Sequence, residues 1–137
     1  MKKIGHFIIA TLTVLLIFTG LSCKKDPGRL PDISFIAGTG YISSDATVAK
    51  NTSFKIGINA AKTEEEDVLK TFNISVSYDG GASETLLTQT LTSAQEDNYT
   101  YDLVKNTRNQ AGTEKYSFTI SNRDGLINTI SITITVL

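Results

Sequence analysis

The sequence predicts an all-β protein, an antiparallel β-sandwich of seven to eight strands. From Ile33 onward, apolar residues recur at every second position in short runs, which is the period of half-buried strands. Polar stretches containing Gly, Asn and Asp separate these runs at a spacing typical of two packed sheets. We therefore assign the folded domain to residues 33–137.

The last two predicted strands carry the clearest pattern. Residues 129–136 (TISITITV) alternate threonine or serine with isoleucine or valine, and residues 116–120 (YSFTI) alternate in the same way. All of these residue types favour a pleated strand. Residues 122–125 (NRDG) between them have the composition of a turn. We expect the two strands to pair as an antiparallel hairpin.

Six further strands are predicted upstream, around residues 33–36, 47–49, 54–60, 72–78, 84–91 and 99–103. Asp79, Gly80 and Gly81 offer a tight turn after the fourth strand. Residues 63–70 (TEEEDVLK) are expected to form a loop that accommodates one helical turn, with Thr63 as the N-cap. The expected core includes Phe54, Ile56, Phe72, Ile74, Tyr101, Phe118, Ile132 and Ile134.

The first 22 residues have the organisation of an export signal. Lys2 and Lys3 give a positively charged start, and residues 7–18 (FIIATLTVLLIF) form an apolar run. A membrane-spanning helix needs roughly 20 apolar residues, so this run of 12 favours a signal peptide over a permanent span.

The residues before Cys23 resemble the lipobox of bacterial lipoproteins, in which a small residue precedes an invariant cysteine. Here Ser22 is that small residue, while Gly20 and Leu21 stand in the reverse of the usual order. With residues 24–26 (KKD), the resemblance is to small lipoproteins of Bacteroidetes type. It implies that Cys23 is the acylated first residue of the mature chain. The alternative is ordinary signal-peptidase cleavage, which Gly20 and Ser22 also fit, but Cys23 would then remain the chain's one, unpaired thiol.

Residues 23–32 are then the lipidated cysteine and a tether. Residues 24–32 (KKDPGRLPD) contain two prolines and a glycine and cannot form a helix or a central strand. Fully stretched, these nine residues reach about 30 Å. The chain from residue 23 has 115 residues, of which 11 are basic and 14 acidic. This balance argues against nucleic acid as a partner.

A second resemblance concerns the folded domain. Residues 116–136 are similar to the last hairpin of bacterial Ig-like domains, and residues 38–60 are similar to the opening of small Ig-like lipoproteins. The resemblance implies an Ig-like sandwich preceded by a lipoprotein signal peptide. The domain lacks the paired cysteines and the tryptophan of antibody domains, so packing alone should hold it together. A resemblance of fold says little about activity.

Composition excludes most catalytic chemistry. The single histidine, His6, lies in the predicted signal peptide, and lipidation would consume the single thiol. The mature chain then has no Ser-His-Asp triad, no histidine or thiolate metal site and no cysteine nucleophile. Residues 64–67 (EEED) are interpreted as a solvated loop rather than paired catalytic carboxylates. We predict no enzymatic activity, catalytic residue, metal site or cofactor.

Candidate binding residues come from the loops and from aromatic residues outside the predicted core. Strand order places the long segment 105–115 and the turn at residues 79–83 at the end of the domain opposite the tether, and long loops often carry binding sites. The basic candidates are Lys105, Arg108 and Lys115, and the aromatic candidates for stacking on a sugar are Tyr41 and Tyr78. The alternatives are ordinary solvated turns and packing at the rim of the sandwich.

The sequence thus predicts a lipoprotein of the cell envelope, anchored to the outer membrane by its N-terminal lipid and facing the periplasm or the cell surface. We expect its domain to be a binding module for an unknown protein or glycan. The alternative is a structural accessory subunit of a pilus, secretion or glycan-uptake complex, with no ligand of its own.

Overall fold

The computed structural model describes residues 28–137, which form eight strands in two packed sheets and contain no helix. The described chain accordingly offers no helix that could cross a membrane. The predicted signal peptide and Cys23 lie outside the described residues. The strands are β1 (Asp32–Phe35), β2 (Ala46–Val48), β3 (Ser53–Ala61), β4 (Leu69–Tyr78), β5 (Ser83–Thr90), β6 (Asn98–Asn106), β7 (Gly112–Asn122) and β8 (Ile127–Val136). All eight predicted strands are confirmed.

The sheets have the orders β1-β3-β6 and β2-β8-β7-β4-β5. The strands β1-β3-β6 of one sheet and β8-β7-β4 of the other follow the strand order of Ig-like sandwiches. β7 and β8 form the predicted hairpin, with Tyr116 opposite Ile132. The segment at residues 63–66 contains bends and no helical turn. The chain there crosses from β3, the middle strand of the three-stranded sheet, to β4 of the other sheet.

One strand pair departs from the predicted antiparallel arrangement. β2 pairs with β8 in parallel, with Ala46 opposite Ile134 and Val48 opposite Val136. β1 and β2 run in the same direction because the chain changes sheets between them without reversing. β8 also runs in that direction, so the contact between β2 and β8 has to be parallel.

The core lies between the two sheets and consists of the inward-facing residues of the alternating runs. Of the predicted core, seven residues are buried and Tyr101 is only half-buried. Tyr101 lies on β6, the last strand of its sheet, where no further strand covers it. Phe72 packs against Tyr99, Tyr101 and Phe118, with ring centroids 5.1, 5.4 and 6.5 Å away. Each fully buried large side chain contributes about 1.5–3 kcal/mol.

The connections between strands segregate to two ends. What we call the entry end carries residues 28–31 and the connections 62–68, 91–97 and 123–126. The far end carries residues 79–82 and 107–111, the turn at residues 49–52 and Leu137. Bonds between connections hold each end together, such as the 2.8 Å bond from Asn51 Nδ2 to Asn109 Oδ1.

Residues 29–31, which the sequence analysis assigned to the tether, are bonded to the domain at the entry end. The bonds run from Arg29 N to Glu64 Oε2 (3.0 Å), from Thr63 Oγ1 to Leu30 O (2.9 Å), from Asn122 Nδ2 to Arg29 O (3.2 Å) and from Asn128 Nδ2 to Pro31 O (2.9 Å). β1 then begins at Asp32. The domain therefore includes residues before the predicted boundary at residue 33, because loop side chains satisfy backbone groups that a free tether would leave to water.

Candidate binding surfaces

Arg108 is the centre of a charged cluster at the far end. Its guanidinium donates to both carboxylate oxygens of Asp79, at 2.9 and 3.2 Å, and to the carbonyl oxygen of Thr113 at 3.3 Å. The same guanidinium lies 4.6 Å from the centre of the Tyr78 ring. Such bidentate pairing and ring stacking use the planar geometry of arginine. We call Tyr78, Asp79, Arg108, Glu114 and Tyr116 the Arg108 cluster.

Glu114 is the buried part of this cluster. Its side chain is 1% exposed, and both of its carboxylate oxygens accept hydrogen bonds. Oε1 accepts from the backbone N–H of Arg108 at 2.9 Å and from its Nε at 3.2 Å, and Oε2 accepts from the Tyr116 hydroxyl at 2.7 Å. A buried carboxylate needs such partners because burial removes its hydration. The cluster therefore joins β7 to the connection before it.

The turn between β4 and β5 presents Asp79 to Arg108. Asp79 and Gly80 both have positive φ, 52° and 73°, and Gly81 N donates to Tyr78 O at 2.8 Å. These are the features of the tight hairpin turn predicted from the Asp-Gly-Gly sequence. Gly112, at φ 150°, lies against the Asp79 carboxylate: a Cβ atom there would lie 2.1 Å from Asp79 Oδ1, so a larger residue would displace the Asp79 side chain from its place.

The ionisation of the cluster follows from these contacts. The guanidinium of Arg108, followed by the N–H of Thr113, lowers the pKa of the Asp79 carboxyl. Burial, followed by the hydrogen bond to Glu114, raises the pKa of the Tyr116 hydroxyl well above its usual range. At neutral pH the cluster therefore holds an ionised Asp79 and a neutral Tyr116.

The predicted basic residues do not form one surface. Arg108 is bonded to two carboxylates. Lys105 is half-buried on β6 opposite Phe54, whereas Lys115 is exposed on β7 and faces away from the core. The Tyr78 ring is half-buried beneath Arg108. The structure thus brings Arg108 and Tyr78 together and leaves the two lysines on different sheets.

Tyr41 lies elsewhere, on the outer face of the three-stranded sheet. Its ring packs over Gly57, where a Cβ atom would come within 2.5 Å of a ring carbon. The ammonium of Lys55 lies 4.0 Å from the ring centre, and the Tyr41 hydroxyl donates to Asp102 Oδ2 at 3.0 Å. Lys55 thus occupies a position that a sugar stacked on this ring would need. The binding roles predicted for Tyr41, Tyr78, Lys105, Arg108 and Lys115 stay predictions.

The sequence did not predict Asp79 and Glu114 as partners of Arg108. Glu114 shares the inward phase of Tyr116 and Phe118 on β7, and a carboxylate in that phase is a sequence signal for a buried ion pair. Asp79 was not evident as a partner of Arg108, because the turn that carries it lies 29 residues before Arg108 in the sequence.

The acidic segment at the entry end is only partly the solvated face that was expected. Asp67 is buried and accepts hydrogen bonds from the side-chain amide of Asn122 and from Asp124 N. Glu64 binds the N-terminal segment, whereas Glu65 and Glu66 are exposed. Within residues 28–137 no group of three or more His, Cys, Asp or Glu side chains is placed to hold a metal ion.

No protein-family model matches this chain, and no curated protein matches its sequence. Solved structures with a similar fold include a superoxide reductase (neelaredoxin) from Ignicoccus hospitalis, with a TM-score of 0.53 and 10% identity over 80% of this chain and 81% of that one. Two further structures of that superoxide reductase have TM-scores of 0.51, at 11% identity over 80% and 81% and at 12% identity over 79% and 80%. At these identities the likeness is one of fold alone.

Proposed function

We propose that this protein is a lipid-anchored protein of the cell envelope whose sandwich acts as a binding module. The observation that supports the proposal is that the chain enters at one end and stays bonded there through residues 29–31. Cys23 precedes Gly28 by five residues, which span at most about 18 Å when stretched. A lipid on Cys23 would therefore hold the entry end near the membrane and present the sides and the far end to a partner.

The first test concerns the anchor. Mass spectrometry of the protein extracted from membranes should find acyl chains on an N-terminal Cys23, and Cys23→Ala should move the protein to the soluble fraction. Ser44→Ala, an exposed change in the loop after β1, is the matched control and should stay with the membrane. An unmodified Cys23 in the extracted protein contradicts the proposal.

The second test concerns orientation. Fluorophores on Glu66→Cys at the entry end and on Lys50→Cys at the far end report the two ends separately, since both positions are exposed. The ends are about 30 Å apart, the length of a ten-residue strand. A quencher carried on lipid headgroups should quench the Glu66 position strongly and the Lys50 position weakly. Equal quenching at both positions would contradict the proposed arrangement.

A further inference from the structure

The four strands at the edges of the two sheets differ in how well they resist pairing with another strand. β1 and β2 have four and three residues, and β5 carries an irregularity opposite Ile74 and Ser75. Short strands, bulges and inward-facing charges are among the means by which proteins block an open edge. β6 is neither short nor bulged, since its nine residues pair one-to-one with β3 from Asn98 to Asn106, and its inward-facing charge, Lys105, lies next to the far-end terminus of the strand.

The hydrogen bonds at the two ends of β6 define which backbone groups are free. Lys62 N donates to Asp97 O and Thr107 N donates to Thr52 O, both at 3.0 Å. Odd-numbered residues of β6 therefore bond to β3, and the even-numbered ones direct their N–H and C=O groups to the open edge. Val104, one of these, has a side chain that is 61% exposed.

An apolar surface lies beside this edge. β6 packs over β4, as the contacts of Phe72 with Tyr99 and Tyr101 show. β5 is the next strand beyond β4, so no strand of the smaller sheet lies opposite it. Leu86 and Leu87 of β5 are half-buried and pack against the core, and Leu87 pairs with the inward-facing Ile74.

The open edge of β6 thus lies beside the inner face of β5, at the position that a fourth strand of the smaller sheet would take. We call this position the slot. The hydrogen bond from the Tyr99 hydroxyl to Gln89 Oε1, at 3.0 Å, crosses from β6 to β5 at the entry-end side of the slot. Constant-type Ig domains have a fourth strand in the sheet that corresponds to β1-β3-β6. In residues 28–137 that position holds no strand.

We propose that this slot binds an extended segment of another polypeptide, which adds to β6 as a fourth strand. The inference rests on the proposed function as a binding module and names its partner class. Backbone groups at Thr100, Asp102 and Val104 would bond the segment. An apolar side chain at every second position would cover Leu86 and Leu87.

The geometry selects this occupant over a second copy of the chain. β5 extends one strand beyond β6, so two β6 edges could not meet without each copy's β5 overlapping the other copy. A glycan lacks the regular N–H and C=O groups that match a strand edge. Asp102 faces outward, where its carboxylate already meets the Tyr41 hydroxyl at 3.0 Å and the Lys55 ammonium at 3.7 Å, so its charge does not restrict the residue opposite it.

The test uses the full chain in detergent micelles and a nine-residue synthetic peptide that alternates valine with threonine and lysine. The peptide should slow amide exchange at Thr100, Asp102 and Val104, whose N–H groups bond to no strand in the free protein. Protection at residues 105–115 instead, or none at millimolar peptide, overturns the proposal. Protection of the same amides by soluble glycans but not by the peptide would assign the slot to a glycan and overturn it too.

Val104→Pro is the decisive variant. It removes an N–H that points away from β3, so the pairing of β6 with β3 is retained while one bond to the segment is lost. Peptide binding should weaken by about tenfold or more. Thr90→Pro is the matched control: Thr90 is exposed and its N–H also points to an open edge, because its neighbour Leu91 bonds Lys70 O. This control should change binding by less than about twofold.

Leu87→Lys is an independent test, in case proline disturbs β6, because it places a charge on the apolar surface of β5 that the bound segment would cover. It should abolish peptide protection while the thermal unfolding stays cooperative. If both Val104→Pro and Leu87→Lys bind the peptide as well as the native protein does, the proposal is overturned. A negative result for peptide binding is distinguishable from a failure of the proposed function. The modification of Cys23 and the orientation of the anchored domain test that function separately.

Discussion

The guanidinium of Arg108 bonds both carboxylate oxygens of Asp79, at 2.9 and 3.2 Å, across the far end of the sandwich. Arg108 also bonds the buried Glu114. One side chain therefore joins the β4–β5 turn, the β6–β7 connection and the start of β7. The sequence shows only an arginine in a loop, whereas in the folded protein its side chain holds three segments together.

Arg108→Ala should destabilise the domain by about 2–4 kcal/mol, because it leaves the carboxylate of Glu114 buried without its cation. Chemical denaturation measures the change in the free energy of unfolding. Arg123→Ala, an exposed arginine at the entry end, is the control and should change stability by about 0.5 kcal/mol or less. Similar costs for the two variants would mean that the Arg108 cluster contributes nothing to stability.

The lowered pKa of Asp79 predicts an acid-sensitive far end. A carboxyl whose pKa is lower in the folded than in the unfolded state stabilises the fold at pH values above its ordinary pKa of about 3.9. That stabilisation is lost as the pH falls through the folded-state pKa. Denaturation curves recorded from pH 6 down to about pH 2 should show a smaller loss of stability for Asp79→Asn than for the native protein. Identical pH profiles would refute the assignment.

Gly112→Ala should be destabilising because its Cβ atom would meet the Asp79 carboxylate at 2.1 Å and because φ is 150° there. The two causes can be separated with Asp79→Gly, which removes the carboxylate and suits the positive φ of that turn position. A double-mutant cycle should give a combined cost smaller than the sum of the single costs. Additive costs would assign the whole effect to the backbone.

Ile132→Ala should cost about 2–5 kcal/mol, because Ile132 is 1% exposed opposite Tyr116 and its removal leaves a cavity. Thr133→Ala, one residue later and facing away from the core, should cost much less. Thermal or chemical denaturation of the two variants compares them directly. If the order were reversed, the inward and outward faces of β8 would be misassigned.

Asn122→Ala should loosen the N-terminal segment. The Asn122 side chain is bonded to Arg29 O, Asp67 and Leu126 N, so its removal frees groups on three segments. Amide exchange should accelerate at Leu126, whose N–H loses its acceptor, and at Arg29, because loss of the bond to its carbonyl oxygen weakens the segment whose N–H donates to Glu64. The stability cost should be about 1–3 kcal/mol. Asn128→Ala, which loses its bond to Pro31 O, should leave Leu126 protected. Unchanged exchange at Arg29 in Asn122→Ala would argue that the other bonds suffice.

The strands were predictable because their signal is local. A face buried against another sheet forces an apolar residue at every second position, and residues 129–136 satisfy that requirement without any knowledge of their partners. Tyr101 has the same alternation but is half-buried, because its exposure depends on β6 being the last strand of its sheet. Position in the sheet is a property of the whole fold.

The candidate surfaces were less predictable for the same reason. The basic residues of segment 105–115 suggested one charged surface, but Arg108 meets Asp79 from a distant turn and the two lysines lie on different sheets. The slot beside β6 exists because β5 extends beyond β6 in the other sheet, and no local sequence pattern encodes that relationship. Pairings between residues far apart in sequence decided both features.

The N-terminal segment leads directly into β1, and β1 belongs to the same sheet as β6. A pull on the N-terminus therefore acts along the axis of β1 and loads its four residue pairs with β3 in shear. A polypeptide held on β6 would resist through the nine pairs between β6 and β3, which are also loaded lengthwise. Traction between an anchor and a bound partner would thus cross the three-stranded sheet, while the five-stranded sheet would carry little of the load.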